Sequence, residues 1–192
     1  MAAAAQLATA GGKGGAVELA DAVFERPFVV PEDAELVVQC RASADRTEVA
    51  STVDGAAPTV HARFGAGRVV PGLERASMQV EQKIEQYGRP SAETVEALYA
   101  AFADKGLSYG PSFQTLREVA FHEDGAIARL GLDRSSWEEA LQTLHPALLD
   151  GAMQLLVESA TRKAEEKCTF LPFAVRRAVV AAQCPSGELW AS

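Results

Sequence analysis

The chain has 192 residues, nearly half of them apolar (48 %), enough for one ordinary domain or two small ones with a buried core. Its formal net charge of −8 excludes the basic surface that nucleic-acid binding requires, and no stretch approaches the ~18 apolar residues of a membrane span. Cys40, Cys168 and Cys184 are far apart and odd in number, so neither a disulfide framework nor a metal site is suggested; reduced thiols in a cytoplasmic compartment are the expectation.

Residues 1–16 are small and Gly-rich and read as a flexible tail. Strands are predicted over 18–24, 28–30, 35–41 and 47–53, with Asp54-Gly55 as a turn signal. A further strand, bulged around 65–67, covers 59–64 and 68–70. Residues 72–90 are polar and mixed, a linker or a frayed helical segment. Ser91 is an N-cap with Glu93 in the first turn, so a helix runs through Ala103 and ends at Gly106. Residues 107–116 are turn-rich. A hairpin over 116–122 and 126–132 turns at Glu123-Asp124-Gly125. Ser135 or Ser136 caps a short helix. After the central helix, strands are expected over 168–182 and from 187 to 191.

The central helix is the stretch HPALLDGAMQ, 145–154, continuing to about Ala160. Pro146 suits a first helical turn. Apolar residues lie nearly all round, which reads as a buried helix. One carboxylate, Asp150, sits inside that run, four residues before Gln154 and on the same face. Burial raises a carboxyl pKa, and a neutral Asp beside an amide is a general-acid arrangement. The same pattern also fits a structural Asp held by backbone donors or an Arg. A long apolar helix needs a sheet to wrap it, and the flanking strands supply one. The expected class is therefore α+β, of the hotdog plan.

YGPSFQ (109–114), HPALLDGAMQ (145–154) and LPF (171–173) together resemble the C-terminal hotdog of polyketide synthase and animal fatty acid synthase dehydratase domains. Upstream, FERPFVVP, VVQC and VHARFGAGRV resemble the last strands of that family's N-terminal hotdog. The resemblance implies a partial double hotdog: 17–71 from the N-terminal hotdog, a linker at 72–90, and the C-terminal hotdog at 91–192 without its last strands. It implies dehydration of a 3-hydroxyacyl chain on an acyl carrier protein to the trans-2-enoyl thioester. No cofactor is implied beyond the carrier's phosphopantetheine. By the same resemblance Asp150 is the proton donor and Gln154 orients it. Tyr109, Gly110, Pro111, Phe113, His145, Pro146, Leu171, Pro172 and Phe173 belong to the substrate tunnel. Carrier protein and neighbouring synthase domains are the implied partners, with a homodimer open.

The sequence departs from the family at the base. The family's HxxxGxxxxP motif, whose His removes the proton alpha to the thioester, is absent. His61 and Gly65 match its first half, but Pro71 falls one residue late, and FERPF and VVQC precede His61 instead of following it. The chain is therefore expected to be a partial dehydratase. Two alternatives stand beside it: a product-template domain that steers cyclisation, and a non-catalytic hotdog with a docking role. The basic pairs Arg162-Lys163 and Arg176-Arg177 are either a face for an acidic carrier or merely solvated charges.

Overall fold

The computed structural model describes residues 16–65, 67–70, 80–132, 145–164, 170–181 and 189–192. The chain forms two compact units, Met1–Glu74 with Pro172–Ala182, and Arg75–Leu171 with Gln183–Ser192.

The first unit is an antiparallel sheet built on β1 (Ala16–Phe24). Along one edge β1 pairs with β8 (Ala174–Ala181), from Ala16↔Ala181 to Val23↔Ala174. Its other edge is shared. Ala16–Glu18 pair with β5 (Arg68–Val70), while Val23 and Phe24 pair with β4 (Thr59–Gly65). The changeover coincides with Asp21, whose φ of 51° breaks the regular pleat. The sheet continues through β3 (Arg46–Val53) to β2 (Leu36–Ala42), an edge strand exposed along most of its length. Asp54 and Gly55, at φ 47° and 70°, make the turn that the sequence signals.

Glu18 is only 5 % exposed and accepts hydrogen bonds from Arg68 on β5 and Arg177 on β8. Those two guanidinium groups hold its carboxyl below the ordinary range. Three strands are thereby tied through one carboxylate.

In the second unit, α1 (Val80–Tyr87) and α2 (Ala92–Asp104) precede the hairpin of β6 (Leu116–His122) and β7 (Gly125–Leu130). α3 (Pro146–Lys163) follows, and β9 (Leu189–Ala191) pairs with β7 to complete a three-stranded antiparallel sheet. Ser91 caps α2 by accepting from the Thr94 N–H. The helix closes at Gly106, φ 80°, as a glycine after a C-terminus should. Val95, Leu98 and Phe102 of α2, Leu116 and Val119 of β6, Ala126, Ala128 and Leu130 of β7, and Leu148 and Leu155 of α3 form one core. The class is α+β, as expected.

One choice left open by the sequence is decided, and two expectations change. Within 72–90, residues 80–87 form a helix, held where the Tyr87 ring lies over Gly125. A Cβ on Gly125 would stand 2.9 Å from that ring, so only glycine admits it. Residues 174–181 join β1 in the first unit instead of extending the second, because β1 offers a full-length open edge. α3 is not buried all round: Leu149 and Leu156, two turns apart, are exposed on one stripe. The tail, the short helix after Ser135, Cys168 and Cys184 lie outside the described residues.

α3 approaches its neighbours most closely at Gly151. A Cβ there would lie 2.2 Å from Thr115 Oγ1, which itself donates to the Ala147 carbonyl at 2.9 Å. Gly151→Ala should therefore destabilise the protein. Overpacking costs ~1–3 kcal/mol, against a helix-propensity gain of ~1 kcal/mol. Thermal or denaturant unfolding checks this, and adding Thr115→Ala should recover part of the loss. An unchanged midpoint for Gly151→Ala would refute the close approach.

Candidate active site

The first turn of α3 is capped by His145, whose Nδ1 accepts from the Ala147 N–H at 3.1 Å. Pro146 follows at the first helical position. A nitrogen that accepts from an amide carries no proton, and burial lowers the His145 pKa, so the ring is neutral. His145 is thus a helix cap, and Pro146 starts the helix.

One turn further, Asp150 is half-buried. Its Oδ2 accepts from Gln154 Nε2 at 2.6 Å. Burial raises the Asp150 pKa and the Gln154 hydrogen bond lowers it; burial is the larger effect. Gln154 is 2 % exposed and fully engaged. Nε2 also donates to the Phe113 carbonyl at 3.0 Å, and Oε1 accepts from Tyr99 Oη at 3.1 Å. The i, i+4 spacing read from the sequence is therefore a direct contact, and the amide also ties α3 to the loop ahead of β6.

That loop is YGPSFQ. Pro111–Phe113 form one 3-10 turn, and Gln114 Nε2 donates to the Tyr109 carbonyl at 2.8 Å. The Tyr109 ring packs edge-on against Phe102, centroids 5.3 Å apart. Burial and the nearby Asp150 charge both raise its hydroxyl pKa. Gly110 has an ordinary φ of −70°, and nothing lies within 4 Å of where its Cβ would be. The loop's own conformation does not demand a glycine there.

Two of the three motifs thus meet, both within the second unit. The third is divided between the units: Leu171 belongs to the second, Pro172 and Phe173 to the first. Leu171 and Phe173 are 64 % and 72 % exposed, and the Phe173 carbonyl accepts from the Phe24 N–H as the chain enters β8.

The other two histidines have visible partners. His61 is buried in the first unit, with Nδ1 at 3.0 Å from the Pro27 carbonyl and Nε2 at 2.7 Å from Ser51 Oγ. A carbonyl only accepts, so Nδ1 donates to Pro27, and Nε2 shares a hydrogen bond with Ser51 Oγ. Phe28 closes over the ring edge-on at 4.9 Å. His122 ends β6 and stacks on Tyr87. The basic pairs are also partly engaged. Arg162 pairs with the buried Glu158 and covers the Phe121 ring, and Arg177 is bound to Glu18.

Tyr99 and Thr115 are the site's unexpected members. Tyr99 lies on the same face of α2 as Val95, Leu98 and Phe102, where the sequence pattern reads as plain core. The available signal is its hydroxyl, because a buried tyrosine needs a polar partner.

A family model described as the polyketide synthase dehydratase N-terminal domain matches residues 76–192. The chain belongs to the polyketide synthase dehydratase family. Polyketide synthase PksN of Bacillus subtilis (strain 168) is 27 % identical over 181 residues, covering 91 % of this chain. Polyketide synthase GfsE of Streptomyces halstedii is 32 % identical over 176 residues, covering 84 %. The chain spans only 3 % and 4 % of these multidomain relatives. Among solved structures, an inactive CurK dehydratase mutant with phenylalanine for histidine superposes at a TM-score of 0.76 and 25 % identity, over 98 % of this chain and 67 % of that one. The dehydratase domain of RzxB from Pseudomonas fluorescens gives 0.64 and 26 %, over 92 % and 63 %. A second CurK structure, 24 % identical, is of an inactive mutant with asparagine for aspartate. The hotdog fold read from the sequence is the fold of these neighbours. No helix among the described residues is long and apolar enough to cross a membrane.

The raised Asp150 pKa has a consequence for stability. The fold favours the neutral acid, so its contribution is complete below the ordinary carboxylate range and is lost as pH rises through the raised value. Asn is neutral throughout. Asp150→Asn should therefore melt higher than the parent at neutral pH and equal to it in acid. Melting curves across pH test this, and a lower melting point at neutral pH would show that the carboxylate is favoured.

Proposed function

We propose that the chain supplies the acid half of a dehydratase acting on a 3-hydroxyacyl thioester carried on an acyl carrier protein. The observation that carries this reading is the Asp150–Gln154 pair: a carboxyl whose pKa is raised by burial, with one oxygen already engaged. Hydroxide is a poor leaving group, so a neutral acid within hydrogen-bond reach lowers the barrier to its departure. In the reaction a base removes the α-proton, the electron pair forms the α,β double bond, and the β C–O bond breaks. Asp150 gives its proton to the departing oxygen, which leaves as water, and the new carboxylate keeps the Gln154 N–H. Tyr109, Gly110, Pro111 and Phe113 shape the approach to Asp150, and Leu171 of the same unit serves that tunnel. The substrate's phosphopantetheine is its tether, and the chemistry calls for no other cofactor.

The base is proposed to come from outside these 192 residues. His61 is closed in by Pro27, Ser51 and Phe28, His122 stands at a hairpin, and His145 caps α3. In support, the CurK dehydratase is inactive when a histidine is replaced and again when an aspartate is replaced. The same engaged histidines favour the second reading, a non-catalytic docking module within a synthase.

The test is detection of enoyl thioester from a carrier-bound 3-hydroxyacyl substrate by mass spectrometry. The chain is supplied alone and together with the N-terminal half of a related dehydratase. Turnover is expected with the added half. Asp150→Asn should lower it ~10²–10⁴-fold, the usual contribution of a general acid. The rate should fall as pH rises through the raised Asp150 pKa. Turnover that survives Asp150→Asn refutes the acid assignment, and no turnover in either setting favours the docking module.

A further inference from the structure

We propose that Tyr99 is a positioning residue: it fixes the direction of the Gln154 amide and so confines the Asp150 proton to Oδ1. This rests on the reading of Asp150 as the acid.

The argument follows the donors. The Leu116 backbone N–H donates to Tyr99 Oη at 3.2 Å. An amide N–H cannot accept, so the tyrosine oxygen accepts there and its own proton is available for Gln154 Oε1, 3.1 Å away. At the other end of that amide, the Phe113 carbonyl can only accept, so Nε2 must face it. Gln154 is thus set from both sides by groups whose roles are fixed by backbone chemistry. A flipped amide would bring two carbonyl oxygens together at Phe113. With this direction fixed, Nε2 always offers a proton to Asp150 Oδ2. A protonated Oδ2 would set O–H against N–H, so the acid proton resides on Oδ1, the oxygen left for a departing hydroxyl.

Tyr99 is suited to hold this direction at every working pH. Burial pushes its pKa up to about 12, so it remains a donor. Its ring is packed against Tyr109, centroids 6.1 Å apart, and Phe102 at 6.3 Å. From β6, Arg117 acts on Tyr99; from the loop after α2, Tyr109 feels Asp150. Both tyrosines have raised pKa values, so neither titrates in the range where Asp150 does.

The experiment is a carboxyl ¹³C NMR titration of the full chain, with the Asp150 signal identified by its loss in Asp150→Asn. Tyr99→Phe, Gln154→Leu and the double variant are compared with the parent. Removing Tyr99's hydroxyl loosens the amide and weakens its donation to the carboxylate, so the Asp150 midpoint should move up. Gln154→Leu should move it up further. In the double variant Tyr99→Phe should add nothing, because its effect passes through Gln154. An unmoved midpoint in Tyr99→Phe, or an equal shift with Gln154 already removed, overturns the proposal. Should Tyr99→Phe fail to fold, 3-fluorotyrosine at position 99 keeps the shape and donates more strongly. The midpoint should then fall, and an unmoved midpoint again overturns it. Because the titration reads no turnover, its outcome is separate from that of the dehydration assay. Where turnover is seen, Tyr99→Phe should lower kcat and leave KM unchanged.

Discussion

The second unit depends on a single buried amide. Gln154 reaches its own helix at Asp150, the 3-10 turn at Phe113 and α2 at Tyr99, with almost no contact with water. An unpaired buried polar group costs ~1–3 kcal/mol, whereas a satisfied network specifies one arrangement. The amide therefore does more to fix the relative placement of three elements than to stabilise any one of them. Apolar packing would allow α3 to rotate or slide against its neighbours; the two directional bonds from Gln154 to Tyr99 and Phe113 hold it to α2 and the 3-10 turn. Gly151 works in the same sense, since its missing side chain brings α3 against Thr115.

Much of this was legible in the chain. HPALLDGAMQ carries a proline suited to a first turn and a carboxylate and an amide four apart, so helix and pair are written locally; the close approach at Gly151 is set by Thr115, more than thirty residues away. Ser91, Gly106 and Asp124-Gly125 mark their elements by equally local chemistry, and the structure uses each as expected. The misread parts depend on partners distant in sequence. Nothing within 174–181 states that it will pair with β1, more than 150 residues earlier; only an open edge of matching length decides that. Helix α1 looks polar and frayed because its anchor is a glycine on a hairpin some forty residues away. Tyr99 falls on an apolar helical stripe, where periodicity cannot distinguish a core aromatic from one whose hydroxyl is needed.

The two units handle buried charge in opposite ways. In the first, Glu18 is kept ionised: two guanidinium groups surround it and its pKa falls. In the second, Asp150 receives one neutral donor and no cation among its stated partners, and its pKa rises. An arginine in place of Gln154 would supply a compensating positive charge and hold Asp150 ionised in a structural ion pair. An amide offers direction without charge, which lets burial decide the protonation state.

The stated partners of the Asp150–Gln154 pair belong to its own unit. Burial beside α2 and the 3-10 turn, donation by Gln154 and the fixed polarity from Tyr99 and Leu116 all arise within 75–171. His61, by contrast, is committed to the sheet of the first unit, its two nitrogens spent on Pro27 and Ser51. Freeing it as a base would require breaking both hydrogen bonds and displacing Phe28. Under the proposed function, a base delivered by a separate segment need only reach the α-carbon of a substrate held near Asp150. It would not need to reset the proton affinity of Asp150, since among the described residues the one hydrogen bond named as shifting it comes from Gln154 on the same helix. On this argument acid and base strength can be adjusted independently, which a reaction needing one protonated and one unprotonated partner at a single pH demands.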